Sequence, residues 1–230
     1  MFDSNPPSYT EPIYHPQFRF SNDIAAFQVQ NTRFRVHEHF LFTYSSVFRD
    51  KYGQQFKSSN SNTSGNKRPE DENVIYLDGV SVLEFESLLK FFYESWQDSF
   101  SMPIMRWVAL LAITNRFKFT EVEFRARREI FEGTGSRVIC PVSRVFLAEK
   151  HAVPTKFIIP ALEDLVRRTE PLQEMEVVNL SSETVARIGV AREKYVRESS
   201  RMLASEAWLE RVVHDIVKSV WCIKEAPPGA

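Results

Sequence analysis

The sequence predicts an α+β unit with few strands, followed by an all-helical region. Three observations carry this. Apolar and polar residues alternate at 27–36, with Phe27 and Val29 against Gln28 and Gln30, then Phe34 and Val36 against Arg33 and Arg35. A short apolar run follows at Asn73–Leu77. From Val82 onward the apolar residues recur at helical spacing, and the strand signals fade beyond the 133–140 stretch.

In chain order, residues 1–17 read as a disordered tail, because Pro6, Pro7, Pro12 and Pro16 block regular helix. The alternation gives strands near 24–30 and 33–36, turning at Asn31-Thr32. His37–Thr43 and Ser46–Lys51 read as two short helices, the second closed by Gly53. Residues 54–72 are Ser/Asn-rich with almost nothing apolar to bury, which predicts a flexible surface insert. Asn73–Leu77 is a third strand, and Asp78-Gly79 turns the chain. Ser81 and Glu84 form a capping box, opening a helix with Val82, Phe85, Leu88, Leu89 and Phe92 on one face. Pro103 suits the first turn of another helix, with Ile104, Trp107, Val108, Leu111 and Ala112 as its stripe. A second capping box at Thr120–Glu123 opens a helix ending near Gly133. The two stripes suit antiparallel helices packed under a small sheet.

The helical region at 135–223 divides similarly. Residues 141–150 start at Pro141. Pro154–Arg168 is helical but kinked or split by Pro160. A short helix falls at 173–180. A long charged helix spans 182–204, with Val185, Ile188, Tyr195 and Val196 inward. Another spans 206–223, with Leu209, Val212, Val213, Ile216, Val217 and Val220 inward. Residues 224–230 read as a tail, and no internal repeat is visible.

Composition excludes several function classes. The chain has 230 residues, 43% hydrophobic and 26% charged, and 29 basic against 30 acidic residues leave a net charge of -1. That balance gives no global attraction to nucleic acid or an anionic membrane. The longest unbroken apolar run, Trp107–Ile113, falls far short of the roughly 20 residues that span a bilayer. Asp3, Pro6 and Pro7 stand where a signal peptide would be basic and then apolar, so an intracellular site, cytoplasmic or nuclear, is expected. Two cysteines, Cys140 and Cys222, exclude a disulfide framework and a Cys-rich zinc site.

No residue pattern points to catalysis, a cofactor or a metal. His37 and His39 have no Cys pair or acidic partner at ligand spacing, and read as a core or helix-start residue and a surface residue. No Gly-x-Ser-x-Gly elbow or glycine-rich phosphate loop occurs. Cys140 has no evident helix N-terminus or basic neighbour to activate it. Glu121 and Glu123 suit a helix first turn rather than paired-carboxylate chemistry. Arg116, Lys118 and Arg125–Arg128 are interrupted by Glu121, Glu123 and Glu129, as on a solvated helix face. Phe40, Phe42, Tyr44, Phe48, Tyr52 and Phe56 exceed what two short helices can bury alone, which makes the surplus a candidate partner surface.

The ordered motifs resemble the BTB/POZ domain. Phe34-x-Val36-His37, then Leu41, then Ser45-Ser46-Val47-Phe48-Arg49-Asp50, is similar to that family's first conserved stretch. Val74–Leu77, Val80-Ser81, Phe85, Leu88-Leu89 and Phe91-Phe92-Tyr93 resemble its next strand and helix. Val108–Ala112 and Phe117-Lys118-Phe119 resemble the helix after that. Asp23 stands where the family often has an Asp. The resemblance places a BTB/POZ domain at 18–132. Val145, Leu147-Ala148, Lys150–Pro154, Ala161-Leu162, Glu170–Leu172 and Ala191–Glu193 look like the helical extension of fungal stand-alone members.

This resemblance implies a non-catalytic protein–protein interaction module. Many family members are adaptors joining a cullin scaffold to a ubiquitin ligase, and others serve transcriptional repression. The implied contact face comprises Phe40, Tyr44, Phe48, Tyr52, Met102, Ile104 and Phe119. Three departures bear on the role. Pro-rich 6–16 replaces the N-terminal helix of dimerising members, which leaves homo-oligomerisation open. Met102–Arg106 lacks the acid of many cullin binders. Glu38 stands where the repressor subgroup has a basic residue. A homo-oligomerising scaffold or transcription-associated regulator, an oligomer built by the long helix, and an enzyme with a diffuse site are the competing readings.

Overall fold

The computed structural model describes residues 24–60, 74–97, 100–132, 139–200 and 205–223, without the side chains of 55–60. The expected tails at 1–17 and 224–230, residues 18–23, most of the insert and the 133–138 divide lie outside this set.

Strands β1 (Ile24–Val29), β2 (Thr32–His37) and β3 (Val74–Tyr76) form a sheet of order β2-β1-β3. β1 and β2 are antiparallel, from Val29↔Thr32 to Ile24↔His37, and β3 runs parallel to β1. The turn is Gln30-Asn31, one residue before the expected position, and Gln30 takes the positive φ of 53° that a tight hairpin requires. Phe27, Val29, Val36 and Ile75 are buried, while Arg33, Arg35 and Tyr76 face solvent. The alternation is therefore read correctly, with the apolar side inward.

Helix α1 (Glu38–Tyr44) is followed by α2 (Ser46–Asn60). Gly53 does not cap α2, which runs on through it. A Cβ at Gly53 would meet only Arg49 Cγ, at 3.8 Å, and no positive φ is required there. The helix passes through at the ordinary glycine cost of about 1 kcal/mol. The helix thus runs to Asn60, into the stretch expected as insert.

Ser45 sets the joint between α1 and α2. Its buried hydroxyl accepts the Phe48 N–H at 2.8 Å and donates to the Phe117 carbonyl. Phe48 then projects into the centre. Its ring meets Phe27 at 5.8 Å, Phe42 at 5.9 Å, Tyr52 at 4.9 Å, Phe117 at 5.1 Å and Phe119 at 6.1 Å. Sheet and helices converge on this one side chain.

Helix α3 (Val82–Glu94) carries the expected capping box, with Glu84 N–H on Ser81 Oγ at 3.2 Å and Ser81 N–H on Glu84 at 2.6 Å. Helix α4 (Ile104–Phe117) buries more than its expected stripe, because α3, α5 and α2 all pack on it. Ala109, Leu110, Ile113 and Thr114 are covered too, whereas Val108 and Ala112 are half-buried. Helix α5 (Thr120–Phe131) lacks the expected capping box. Lys118 closes α4 in the left-handed region, which moves the cap position to Phe119, whose side chain has no acceptor. Glu123 instead accepts from Asn115 Nδ2 at 3.2 Å and pairs with Arg127.

The helical region comprises α6 (Pro141–Lys150), a 3-10 turn (Thr155–Phe157), α7 (Ile159–Arg167), α8 (Glu174–Val177), α9 (Ser182–Ser199) and α10 (Glu206–Val220). Pro160 sits in the first turn of α7, where its missing N–H costs nothing, so the split falls before it. On α9 the inward residues are Thr184, Ile188 and Ala191, one turn apart, against α7 and α10. Val196 points outward and is 60% exposed, contrary to expectation. The α10 stripe is as expected, with Val213, Ile216 and Val217 buried.

Both halves share one continuous apolar core, from Ala25 to Val217. Polar bonds reinforce the seam. Asn115 Nδ2 donates to the His151 carbonyl at 3.1 Å, and Arg144 donates to the Phe131 carbonyl. Burial, and then the neighbouring Lys150 ammonium, push the His151 imidazole below its ordinary range. Elsewhere Arg168 clasps the Glu176 carboxylate at 2.9 and 2.7 Å, which lowers that group to about 2.

Two outcomes follow. Phe48→Ala should destabilise the fold by about 3–5 kcal/mol in urea unfolding, since the ring is fully buried among five others. His151 has a lowered folded pKa, so its contribution is complete above the ordinary imidazole value of 6.5 and erodes as pH falls below it. Stability measured from pH 7 to about 5.5 should therefore fall more steeply in the wild type than in His151→Gln.

Candidate protein-interaction surface

Three elements bring aromatic rings to one surface. Helix α1 supplies Phe40 and Tyr44, α3 supplies Phe91, Phe92 and Tyr93, and the segment before α4 supplies Phe100. Phe92 stacks on Phe40 at 5.4 Å and 15°, and on Tyr44 at 5.5 Å and 28°. Phe91 meets Phe100 edge-on at 6.1 Å. The hairpin end locks this cluster, because Tyr93 Oη accepts the His37 N–H at 3.1 Å and lies 2.9 Å from His37 Nδ1. Beside the stack is an open cavity of about 430 Å³, walled on the α5 side by Glu121, Val122 and Arg125.

The elements that wall the cavity, and the residues next to them, also carry exposed rings. Tyr44 is 45% exposed, and Phe124, one turn from Glu121 on α5, is 60% exposed. Trp96, 78% exposed, donates its indole N–H to the Tyr93 carbonyl at 2.8 Å. Arg125 pairs with Glu129 at 2.9 Å. The wall therefore offers ring faces, the Ser95 side chain, one carboxylate and one partly neutralised guanidinium. Such a shallow aromatic surface suits the anchoring side chains of a partner protein.

Of the expected contact residues, Phe40 and Tyr44 line this cavity, and half-buried Ile104 opens α4 outside its lining. Phe48, Tyr52, Met102 and Phe119 are corrected to core residues, at 0%, 4%, 2% and 0% exposure. The surplus aromatics do fill the space between sheet and helices, so these four can act on a partner only through the shape they support. The sequence reading placed Arg125 on a solvated helix face but missed half-buried Phe91 and Phe100 at the cavity and the exposed rings of Trp96 and Phe124. The run Phe91-Phe92-Tyr93 held the signal, since one helix face cannot bury three successive rings.

A second cavity, about 350 Å³, lies among α6, α9 and α10 and is lined by Glu149, Ser181, Thr184, Arg187 and Trp221 among others. Glu149 accepts the Ser181 hydroxyl at 2.6 Å and the Ser181 N–H at 3.1 Å. Burial works to raise the Glu149 carboxyl, but hydrogen bonds from Ser181 and Thr184 outweigh it and hold the group below the usual range. This carboxylate holds Ser181, whose hydroxyl accepts the Thr184 N–H as the N-cap of α9.

The remaining candidates take structural places. Exposed His37 is the N-cap residue of α1. Cys140 does stand at a helix N-terminus, contrary to expectation, as the N-cap residue of α6, with its thiol 3.0 Å from Ser143 Oγ. In the basic stretch, Arg125 and Arg127 are ion-paired and Arg116 donates to the Gly79 carbonyl. Among the described residues, no group of three or more His, Cys, Asp or Glu is placed to hold a metal ion. No helix among them is long and apolar enough to cross a membrane.

Residues 22–130 match the family model of the BTB/POZ domain. With the mixed three-stranded sheet and its packed helices, this part of the chain is a BTB/POZ domain, a protein–protein interaction module, and further helices follow it. The match falls inside the expected 18–132 span. No curated protein matches the chain.

The division between rim and core is measurable. Tyr44→Ala should change unfolding stability by no more than about 0.5 kcal/mol. Phe119→Ala should cost about 3–5 kcal/mol in the same assay.

Proposed function

We propose that the chain is a non-catalytic adaptor whose BTB/POZ domain docks on a cullin scaffold of a ubiquitin ligase. The observation that supports this reading is the aromatic cavity itself, with Phe92 held between Phe40 and Tyr44 and exposed Phe124 on the neighbouring α5. The helical region at 135–223 is, in this reading, the extension of a stand-alone BTB protein and carries the contact to the protein being recruited. Such a protein acts in the cytoplasm or nucleus. No cofactor or metal enters the reading, because shape and apolar burial supply the affinity.

Calorimetry against the N-terminal half of the cullin scaffold tests it. The wild type should bind at micromolar affinity or tighter. Tyr44→Ala and Phe124→Ala, both at exposed positions, should each weaken binding about ten-fold, the effect of removing an anchoring ring. A folded protein that shows no heat of binding overturns the adaptor role and leaves an interaction module with a different partner.

A further inference from the structure

Helix α9 is exposed along one whole side. α7 and α10 pack on the other side, over Thr184, Ile188 and Ala191. Opposite these, Ala186, Gly189, Val190, Glu193 and Arg197 are exposed, and Val190 keeps 49% of its surface. Gly189 stands mid-helix, where glycine costs about 1 kcal/mol relative to alanine. Neither conformation nor crowding within the chain requires it. Its φ is not positive, and a Cβ there would meet no atom within 4 Å. Small residues on an exposed helix face let a second backbone come close.

The charges on this side are self-complementary. Glu183 pairs with Arg187 at 2.6 Å, and Glu193 pairs with Arg197 at 3.0 Å. Their order is symmetric about Val190. Glu183 and Arg197 stand seven residues to either side of it, and Arg187 and Glu193 stand three. A second α9 laid antiparallel across Val190 therefore sets Glu183 against Arg197 and Arg187 against Glu193, and a two-fold axis repeats both contacts. A parallel neighbour would set each charge against its own like, which opposes docking.

We infer that the exposed side of α9 docks a second copy of this chain, antiparallel, on a two-fold axis at Val190. Val190 packs on its counterpart, Ala186 and Gly189 let the two backbones approach, and the interhelical charge pairs fix orientation and register. The surface lies outside the matched BTB/POZ span of 22–130 and shares no residue with the aromatic cavity.

Analytical ultracentrifugation of the full chain tests it. One helix pair buries little area, so the wild type should be half dimeric at about 0.1 mM. Exchanging the first ion pair, Glu183→Arg with Arg187→Glu, keeps the net charge and the pairing within the helix but sets like charges across the axis. Association should weaken at least about ten-fold. Adding the second exchange, Glu193→Arg with Arg197→Glu, makes every contact across the axis opposite in sign again. Dimerisation should return to the wild-type level, an outcome that itself demonstrates folded variants. A wild type that stays monomeric up to about 1 mM overturns the inference and leaves this side of α9 to a different partner. Association that the first exchange leaves intact overturns it too, because the interface then lies elsewhere. So does a loss that the second exchange fails to restore, because the register is then wrong.

Discussion

The fold depends on the joint at Ser45 and Phe48. A chain leaving a hairpin must turn two short helices back onto the sheet, and neither α1 nor the first turns of α2 can hold that geometry alone. Ser45 solves the local part. Its hydroxyl supplies the acceptor that the first turn of α2 lacks and ties the same corner to the end of α4 through the Phe117 carbonyl. Phe48 solves the packing part, because it touches the sheet, α1, α4 and the α4–α5 turn at once. A buried hydroxyl with both its donor and acceptor roles satisfied, three residues from a fully enclosed ring, explains the spacing of the Ser45-x-x-Phe48 motif.

That centre also explains the surface. Once Phe27, Phe48, Phe117 and Phe119 fill the interior, Phe92 packs at its margin against Phe119, with Phe40 and Tyr44 stacked on it. The same ring–ring preference thus builds both a core and a surface cluster. The difference is position along α1. Leu41 points into the core, and Phe40 and Tyr44, one residue before it and three after, line the cavity at its margin.

The elements whose signals are local were legible in the sequence. The alternation of 24–36, the Ser81–Glu84 box, Pro141 at a helix start and the α10 stripe each depend on neighbours within one turn or one strand. The misreadings arose where tertiary contacts decide. Gly53 continues a helix because nothing there requires a positive φ. Thr120 fails to cap because Lys118 turns left-handed and shifts the cap by one residue. Phe48, Tyr52, Met102 and Phe119 were placed on the contact face because an aromatic-rich stretch does not say which rings find a core. Phe48 and Tyr52 are covered by Phe117, and Phe48 by Phe119, which lie more than fifty residues away along the chain.

The seam between the halves bears on how such a module works. α4 is shared, with one flank serving α3 and the other α5, while Asn115 near its end reaches both Glu123 and the His151 carbonyl. Arg144 on α6 closes the last turn of α5 through the Phe131 carbonyl. The helix that supplies Glu121 and Arg125 to the aromatic cavity is therefore held at its far end by the helical region. The apolar core runs across this boundary without a break. The helical region therefore helps to hold the α5 wall of the BTB/POZ cavity rather than standing as a separate appendage.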